Sequence, residues 1–243
     1  MADVESNNIV GYQDFNGTGG FTLTVPTFIT VGTDGSGLKL GDLKANDGFV
    51  SGADAISLYN GGNLLMQVTF YPYDDPDDFG IPGGWYEYND FNESDEPTLL
   101  NDTPIPYGTG FAFSRATAGA AIQYAGEVKL SATTLPSTGG FTLCGNVVPM
   151  DLTLANFFGN ESFVSGADAI SLYNGGNLEK QVTFYPYDDP DDFGIPGGWY
   201  EYNDFNESDE PTLLNSTPIA AGQGFAFSRA TAAARIIVDP TTK

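Results

Sequence analysis

The feature that most constrains this chain is an internal duplication. Residues 49–64 recur without change as 163–178, and 67–101 recur as 181–215, both at an offset of 114. The match continues through 110–118 and 224–232. Toward the N-terminus, Gly19-Gly20-Phe21-Thr22-Leu23 matches Gly139-Gly140-Phe141-Thr142-Leu143 at an offset of 120. Copy one therefore holds six extra residues between Leu23 and Leu38, in a Gly/Thr/Asp-rich stretch that reads as a longer loop. Such a period is too long for a solenoid repeat and right for a whole small domain. The chain divides into two tandem domains, 1–125 and 126–243. No flexible linker separates them, because Ile122-Gln123-Tyr124 runs almost directly into Glu127. A fixed angle between the domains is expected.

The local signals within each copy are β. Ala55-Ile56-Ser57-Leu58-Tyr59 alternates and stops at Asn60-Gly61-Gly62-Asn63, a hairpin turn whose residues tolerate positive φ. Gln67-Val68-Thr69-Phe70-Tyr71 is stopped by Pro72, Trp85-Tyr86-Glu87-Tyr88 follows Pro82-Gly83-Gly84, and Phe111-Ala112-Phe113-Ser114 follows Gly108 and Gly110. No apolar stripe persists at helical spacing for three turns. The reading is all-β: two tandem antiparallel β-sandwich or partly open barrel domains of the same fold.

Eight Lys+Arg stand against 32 Asp+Glu, a net charge of −24. Such a chain repels nucleic-acid phosphates and anionic lipid surfaces, and attracts cations. No apolar run is long enough to span a bilayer, so no membrane insertion is expected. The lone Cys144 replaces Thr24 of copy one and reads as a small semi-buried filler. No leader precedes Asp3, and a mature secreted or cell-surface protein is expected. Sequons at Asn16, Asn92, Asn101, Asn160, Asn206 and Asn215 favour export and glycosylation.

Chemistry concentrates in residues 71–97 and their copy, 185–211. Calcium is one reading, with oxygen ligands from Asp74, Asp75, Asp77, Asp78, Asp90 and Glu93, and from Asp188, Asp189, Asp191, Asp192, Asp204 and Glu207. No EF-hand register fits, and crowded carboxylates can equally stay hydrated. Carbohydrate is another reading: Trp85, Tyr86 and Tyr88, with Trp199, Tyr200 and Tyr202, could offer ring faces to glycans beside carboxylates. The competing reading of alternating aromatics is sheet core. Glycosidase chemistry needs two carboxyls held across a cleft, which adjacent Asp pairs do not supply. With no histidine, a Ser-His triad is impossible. A non-enzyme is expected. Arg115 and Arg229 are expected to pair with a carboxylate of their own domain, such as Asp54 or Asp168.

The differences between copies point to assembly. Leu65-Met66 becomes Glu179-Lys180, so these positions reach solvent, and an exposed Leu-Met pair calls for a cover. Pro106-Tyr107 becomes Ala220-Ala221. Two serial copies meeting head to tail could repeat that contact between chains and form an open filament. The N-terminal segment, with Val4, Ile9 and Val10, could add as a strand to the C-terminal strand of a neighbour, at Ile236 and Val238.

Three motifs together carry a resemblance: the opening Val4-Glu5-Ser6-Asn7-Asn8-Ile9-Val10-Gly11-Tyr12, Gly52-Ala53-Asp54-x-Ile56, and Pro104-Ile105 followed by Gly108-x-Gly110-Phe111-x-Phe113 and Arg115. They resemble secreted β-repeat proteins of environmental and gut bacteria. The resemblance implies export and a β-rich fold, and it brings no activity or site residues. Copy two lacks the opening motif. The expectation is thus a non-enzymatic extracellular structural protein, a homopolymer forming a surface filament or layer. The alternative is a calcium-dependent adhesin or carbohydrate-binding module.

Overall fold

The computed structural model describes residues 10–17, 19–30, 37–72, 81–88, 97–186, 196–202 and 211–242. Copy one contains β1 (Val10–Phe15), β2 (Gly20–Thr24), β3 (Phe28–Ile29), β4 (Leu38–Lys39), β5 (Lys44–Ala45), β6 (Ala55–Asn60), β7 (Asn63–Tyr71), β8 (Gly84–Glu87), β9 (Pro104–Ile105), β10 (Phe111–Arg115) and β11 (Ile122–Val128). Copy two contains β12 (Thr133–Thr134), β13 (Gly140–Gly145), β14 (Leu152–Thr153), β15 (Phe157–Gly159), β16 (Ala169–Asn174), β17 (Asn177–Tyr185), β18 (Gly198–Glu201), β19 (Pro218–Ile219), β20 (Gly224–Arg229) and β21 (Ile236–Val238). Among the described residues the only helical pieces are two short 3-10 turns, Leu40–Asp42 and Leu154–Asn156. The chain is all-β, and every pairing between strands among the described residues is antiparallel.

Each copy builds a five-stranded sheet in the same order, β2-β10-β6-β7-β8 and β13-β20-β16-β17-β18. The β6–β7 hairpin closes through Gly61 (φ +57°) and Gly62 (φ +84°), two consecutive positive values that a side chain would strain. Alternation then decides what each face buries. In β10, Phe111 and Phe113 enter the core of copy one, while Ala112 points the other way. Phe113 stacks on Phe49 at 6.1 Å, and Phe49 meets Trp85 edge-on at 5.7 Å. Copy two repeats this cluster with Phe163, Phe227 and Trp199. The opposite wall of each core is a second, smaller sheet: β1-β11-β3 with β5 in copy one, and β12-β21-β15 in copy two.

Two separate sandwiches or partly open barrels do not describe the result. The four larger sheets follow one another as blades of one body, because each five-stranded sheet is apolar on both faces. Its second face carries Leu23 and Ala112, or Leu143 and Ala226, and these four side chains form one buried layer between the copies. Leaving them in water would cost roughly 25 cal/mol for each Å² of apolar surface. The division at 125/126 also falls inside a strand: β11 runs through to Val128 and belongs to copy one along its whole length. Val25 of copy one, in turn, is buried in the core of copy two.

Candidate functional site

The expected calcium ligands Asp74, Asp75, Asp77, Asp78, Asp90, Glu93, Asp188, Asp189, Asp191, Asp192, Asp204 and Glu207 all lie outside the described residues. Their attachment points are defined. Residues 73–80 join β7 to β8 next to the Tyr71–Gly84 pair, and 89–96 follow β8 beyond the Val68–Glu87 pair, so the two acidic segments leave from opposite ends of β8. Among the described residues there is no group of three or more carboxylate, thiol or imidazole side chains placed to hold a metal.

The aromatic platform expected for sugars is largely core. Trp85 and Trp199 are both 0% exposed, Tyr86 is 0% and Tyr200 is 1% exposed. Their polar atoms are spent inside the protein. Trp85 Nε1–H donates to the Leu43 carbonyl at 2.8 Å, and Trp199 Nε1–H donates to that of Phe157 at 2.7 Å. The Tyr86 and Tyr200 hydroxyls donate to the carbonyls of Pro82 and Pro196, each at 2.6 Å. The physical reason is alternation: β8 and β18 are covered on both faces except at Glu87 and Glu201. Tyr88 and Tyr202, one residue beyond these strands, remain half-buried, and the Tyr88 hydroxyl is held by the Gly52 carbonyl at 2.6 Å.

The expected Arg–Asp pairs do not form. Asp54 is fully buried, and its carboxylate accepts backbone N–H groups from Val50 (2.8 Å), Ala116 (2.8 Å) and Thr117 (2.9 Å). Asp168 does the same with Val164, Ala230 and Thr231. Three charge-assisted hydrogen bonds satisfy a buried carboxylate without a cation. Arg115 Nη1 instead donates to the Asn16 carbonyl, and Arg229 Nη1 to that of Ser137. These aspartates clamp two loops together in each copy.

The interface residues divide. Val4 and Ile9 lie outside the described residues. Val10 pairs with Glu127 within the same chain, and β1 runs antiparallel to β11 as far as Phe15–Ile122. The N-terminal strand therefore completes its own copy. Ile236 and Val238 are 0% exposed, and β21 is flanked on both edges by β12 and β15, so this strand is not open to a neighbour. Leu65 is 60% exposed as expected, whereas Met66 is half-buried against the core of copy one. Pro106 is exposed. Tyr107 reaches across to copy two, where its hydroxyl donates to the Val147 carbonyl at 2.9 Å and Lys129 sits 5.4 Å from its ring centre.

How the copies meet was not legible from those positions. The contact is two-fold in character and not head to tail: Leu23 and Ala112 of copy one join Leu143 and Ala226 of copy two in one buried cluster, and Phe21, Tyr59, Phe141 and Tyr173 pack around them. The β6–β7 hairpin ends on β13, where a Cβ on Gly62 would lie 3.1 Å from that of Phe141. Its counterpart ends on β2, where a Cβ on Gly176 would lie 3.4 Å from that of Phe21. Backbone hydrogen bonds cross the contact from copy one to copy two at two places, from Gly110 N–H to the Leu143 carbonyl and from Val25 N–H to that of Gly222. The same aromatic residues wall an apolar pocket of about 220 Å³ on the pseudo-two-fold axis.

No family model matches the chain, and neither a curated protein nor a solved structure matches it. The functional reading therefore rests on the molecule itself. The accessible features are the outward edge of β1, the attachment points of the acidic segments and the surface along the junction of the copies. The sequence did hold a signal for that junction, in the repeated Gly-Gly-Phe-Thr-Leu and Gly-x-Gly-Phe motifs.

Proposed function

We propose that the protein is a non-enzymatic extracellular structural protein that self-assembles by strand addition at β1. The observation that carries this reading is the edge itself. β1 lies at the border of its sheet, paired on one side with β11 and without a strand on the other among the described residues. Its outward side chains include Val10 at 59% and Tyr12 at 78% exposure. A regular edge of six residues with exposed apolar side chains is a template for another strand. The two ends of the body also differ: the counterpart of β1 in copy two is only Thr133–Thr134. A contact between unlike ends is heterologous, and where its rotation does not close it yields an open filament, the assembly proposed in spite of the two-fold contact inside the chain.

A net charge of −24 opposes close approach of copies at low salt. Assembly therefore requires screening, or calcium held by the acidic segments. Sedimentation and negative-stain microscopy across salt and calcium concentrations test the reading, with Val10→Lys/Tyr12→Lys as the edge-blocked variant. Ordered fibres from the native chain, and folded monomers from the variant, are expected. A native chain that stays monomeric under every condition refutes it. The alternative, a calcium-dependent adhesin, is supported by the duplicated acidic segments alone.

A further inference from the structure

The two copies are identical over residues 49–118 and 163–232 except at six positions. One of the six has a local cause. Asp102 forms a 2.8 Å ion pair with Lys39, and copy two has lost both partners together, with Ser216 and Thr153 in their places. The other five in copy two are Glu179, Lys180, Ala220, Ala221 and Gln223, and all five line a single cleft at the junction of the copies. They come from two stretches of chain some forty residues apart, which only the fold brings together. Within that near-identical span, five of the six differences fall on the walls of one cleft, which points to it as a place where the duplicated halves do different work.

The cleft holds about 420 Å³ and is completed by Phe15 and Leu23 of copy one and Tyr173 of copy two. That volume falls in the range of small-molecule sites, roughly 300–1,000 Å³. Tyr173 and Leu23 also line the apolar pocket on the pseudo-two-fold axis, so the cleft adjoins an aromatic wall. In copy one, Pro106 and Tyr107 occupy the positions of Ala220 and Ala221, and Tyr107 fastens that segment to copy two by its side chain. Around Ala221 the fastening uses other atoms: Gln13 Nε2 donates to its carbonyl, and both Val25 N–H and Thr24 Oγ1 donate to the carbonyl of Gly222. The alanines then leave side-chain space to the cleft. Gln223 accepts the Ala220 N–H at 2.9 Å, which fixes its amide in the cleft wall.

We infer that this cleft between the copies is a binding site for a neutral saccharide. Aromatic and aliphatic walls suit the C–H faces of a sugar ring. A carboxylate, an ammonium and an amide provide acceptors and donors for its hydroxyls. The charges of Glu179 and Lys180 offset one another, and the strongly negative protein disfavours an anionic ligand. Phe15, the last residue of β1, lines the cleft, whereas the proposed assembly uses the exposed Val10 and Tyr12 of that strand.

The test uses the full chain and a panel of neutral mono- and disaccharides (glucose, galactose, mannose, maltose, cellobiose and lactose), read by ligand-observed NMR and calorimetry. At least one is expected to bind saturably with one site per chain. Glu179→Leu/Lys180→Met/Gln223→Thr installs the residues that copy one already accommodates, so the fold is retained, as thermal unfolding will check. Loss of three polar side chains is expected to weaken binding by about tenfold or more. The mirror variant, Leu65→Glu/Met66→Lys/Thr109→Gln, should bind like the native chain. The inference is overturned if no sugar of the panel saturates, if the first variant binds as well as the native chain, or if glucuronate binds more tightly than the neutral sugars.

Discussion

Gly224 lies against Thr24 so closely that a Cβ on the glycine would sit 2.6 Å from the threonine backbone nitrogen. For its counterpart in copy one, Gly110, a Cβ would sit 3.1 Å from the Leu143 carbonyl carbon of copy two. Both glycines lead into the central strands β10 and β20, and both permit backbone of one copy to touch backbone of the other. The prediction is graded. Gly224→Ala should lower stability by about 1–3 kcal/mol, because backbone cannot yield as a flexible side chain does. Gly110→Ala should cost less. Denaturant unfolding of the two variants gives the order directly.

Burial of the tryptophans sets a second expectation. Trp85→Phe removes the donor to the Leu43 carbonyl and leaves that acceptor buried, at a cost of about 1–3 kcal/mol. Trp85→Ala should cost about 3–5 kcal/mol through the cavity it opens beside Phe49 and Phe70. Neither should alter sugar binding selectively. A Trp85→Phe protein as stable as the native chain would contradict the buried geometry.

Asp54→Asn tests the loop clamp. An amide offers one acceptor oxygen where the carboxylate offers two, and its NH2 would confront a backbone N–H. A loss of about 1.5–3 kcal/mol is expected from hydrogen bonds to a charged group. Asp168→Asn should behave alike in copy two, and Arg115→Lys should have a much smaller effect because no ion pair is broken. Thermal midpoints of the three variants separate a carboxylate–backbone clamp from a salt bridge.

Alkaline pH offers a fourth test. Burial raises Tyr107 and Tyr124 from the ordinary value of 10.0 to about 12. The unfolded chain releases these protons first, so the stability they confer is intact below pH 10 and is lost as pH rises through about 12. Absorbance titration should show Tyr107 and Tyr124 among the late-ionising tyrosines. Tyr124→Phe should flatten the fall in stability between those values, and a variant with the native slope would count against it.

Much of the fold could be read from alternation and turns. The β6–β7 hairpin, β10 and the all-β character follow from Ala55 to Tyr59, the Asn-Gly-Gly-Asn turn and the Phe-x-Phe strand. What alternation cannot tell is which apolar face meets a solvent-facing neighbour and which meets a second copy. Ala112 and Leu23 look unremarkable in sequence, yet they decide that four sheets share one body. The same ambiguity misplaced Trp85 and Tyr86, since an aromatic strand reads alike whether its rings line a groove or fill a core. Arg115 and Asp54 were matched by charge, but backbone amides, which carry no letter in the sequence, were the actual partners. The cleft escaped notice because its walls are distant in the chain and its clue lay in where the copies differ.

The two-fold contact between the copies bears on how this body holds together. In separate chains, the same clustering of Leu23 with Leu143 would be a second-order event, weakened by dilution. Joined through β11, the halves meet at an effective concentration set by the connection, on the order of millimolar or more. The pairing then becomes a property of one chain, indifferent to how much protein surrounds it. With the partnership secured covalently, each half is free to change its face without losing its mate.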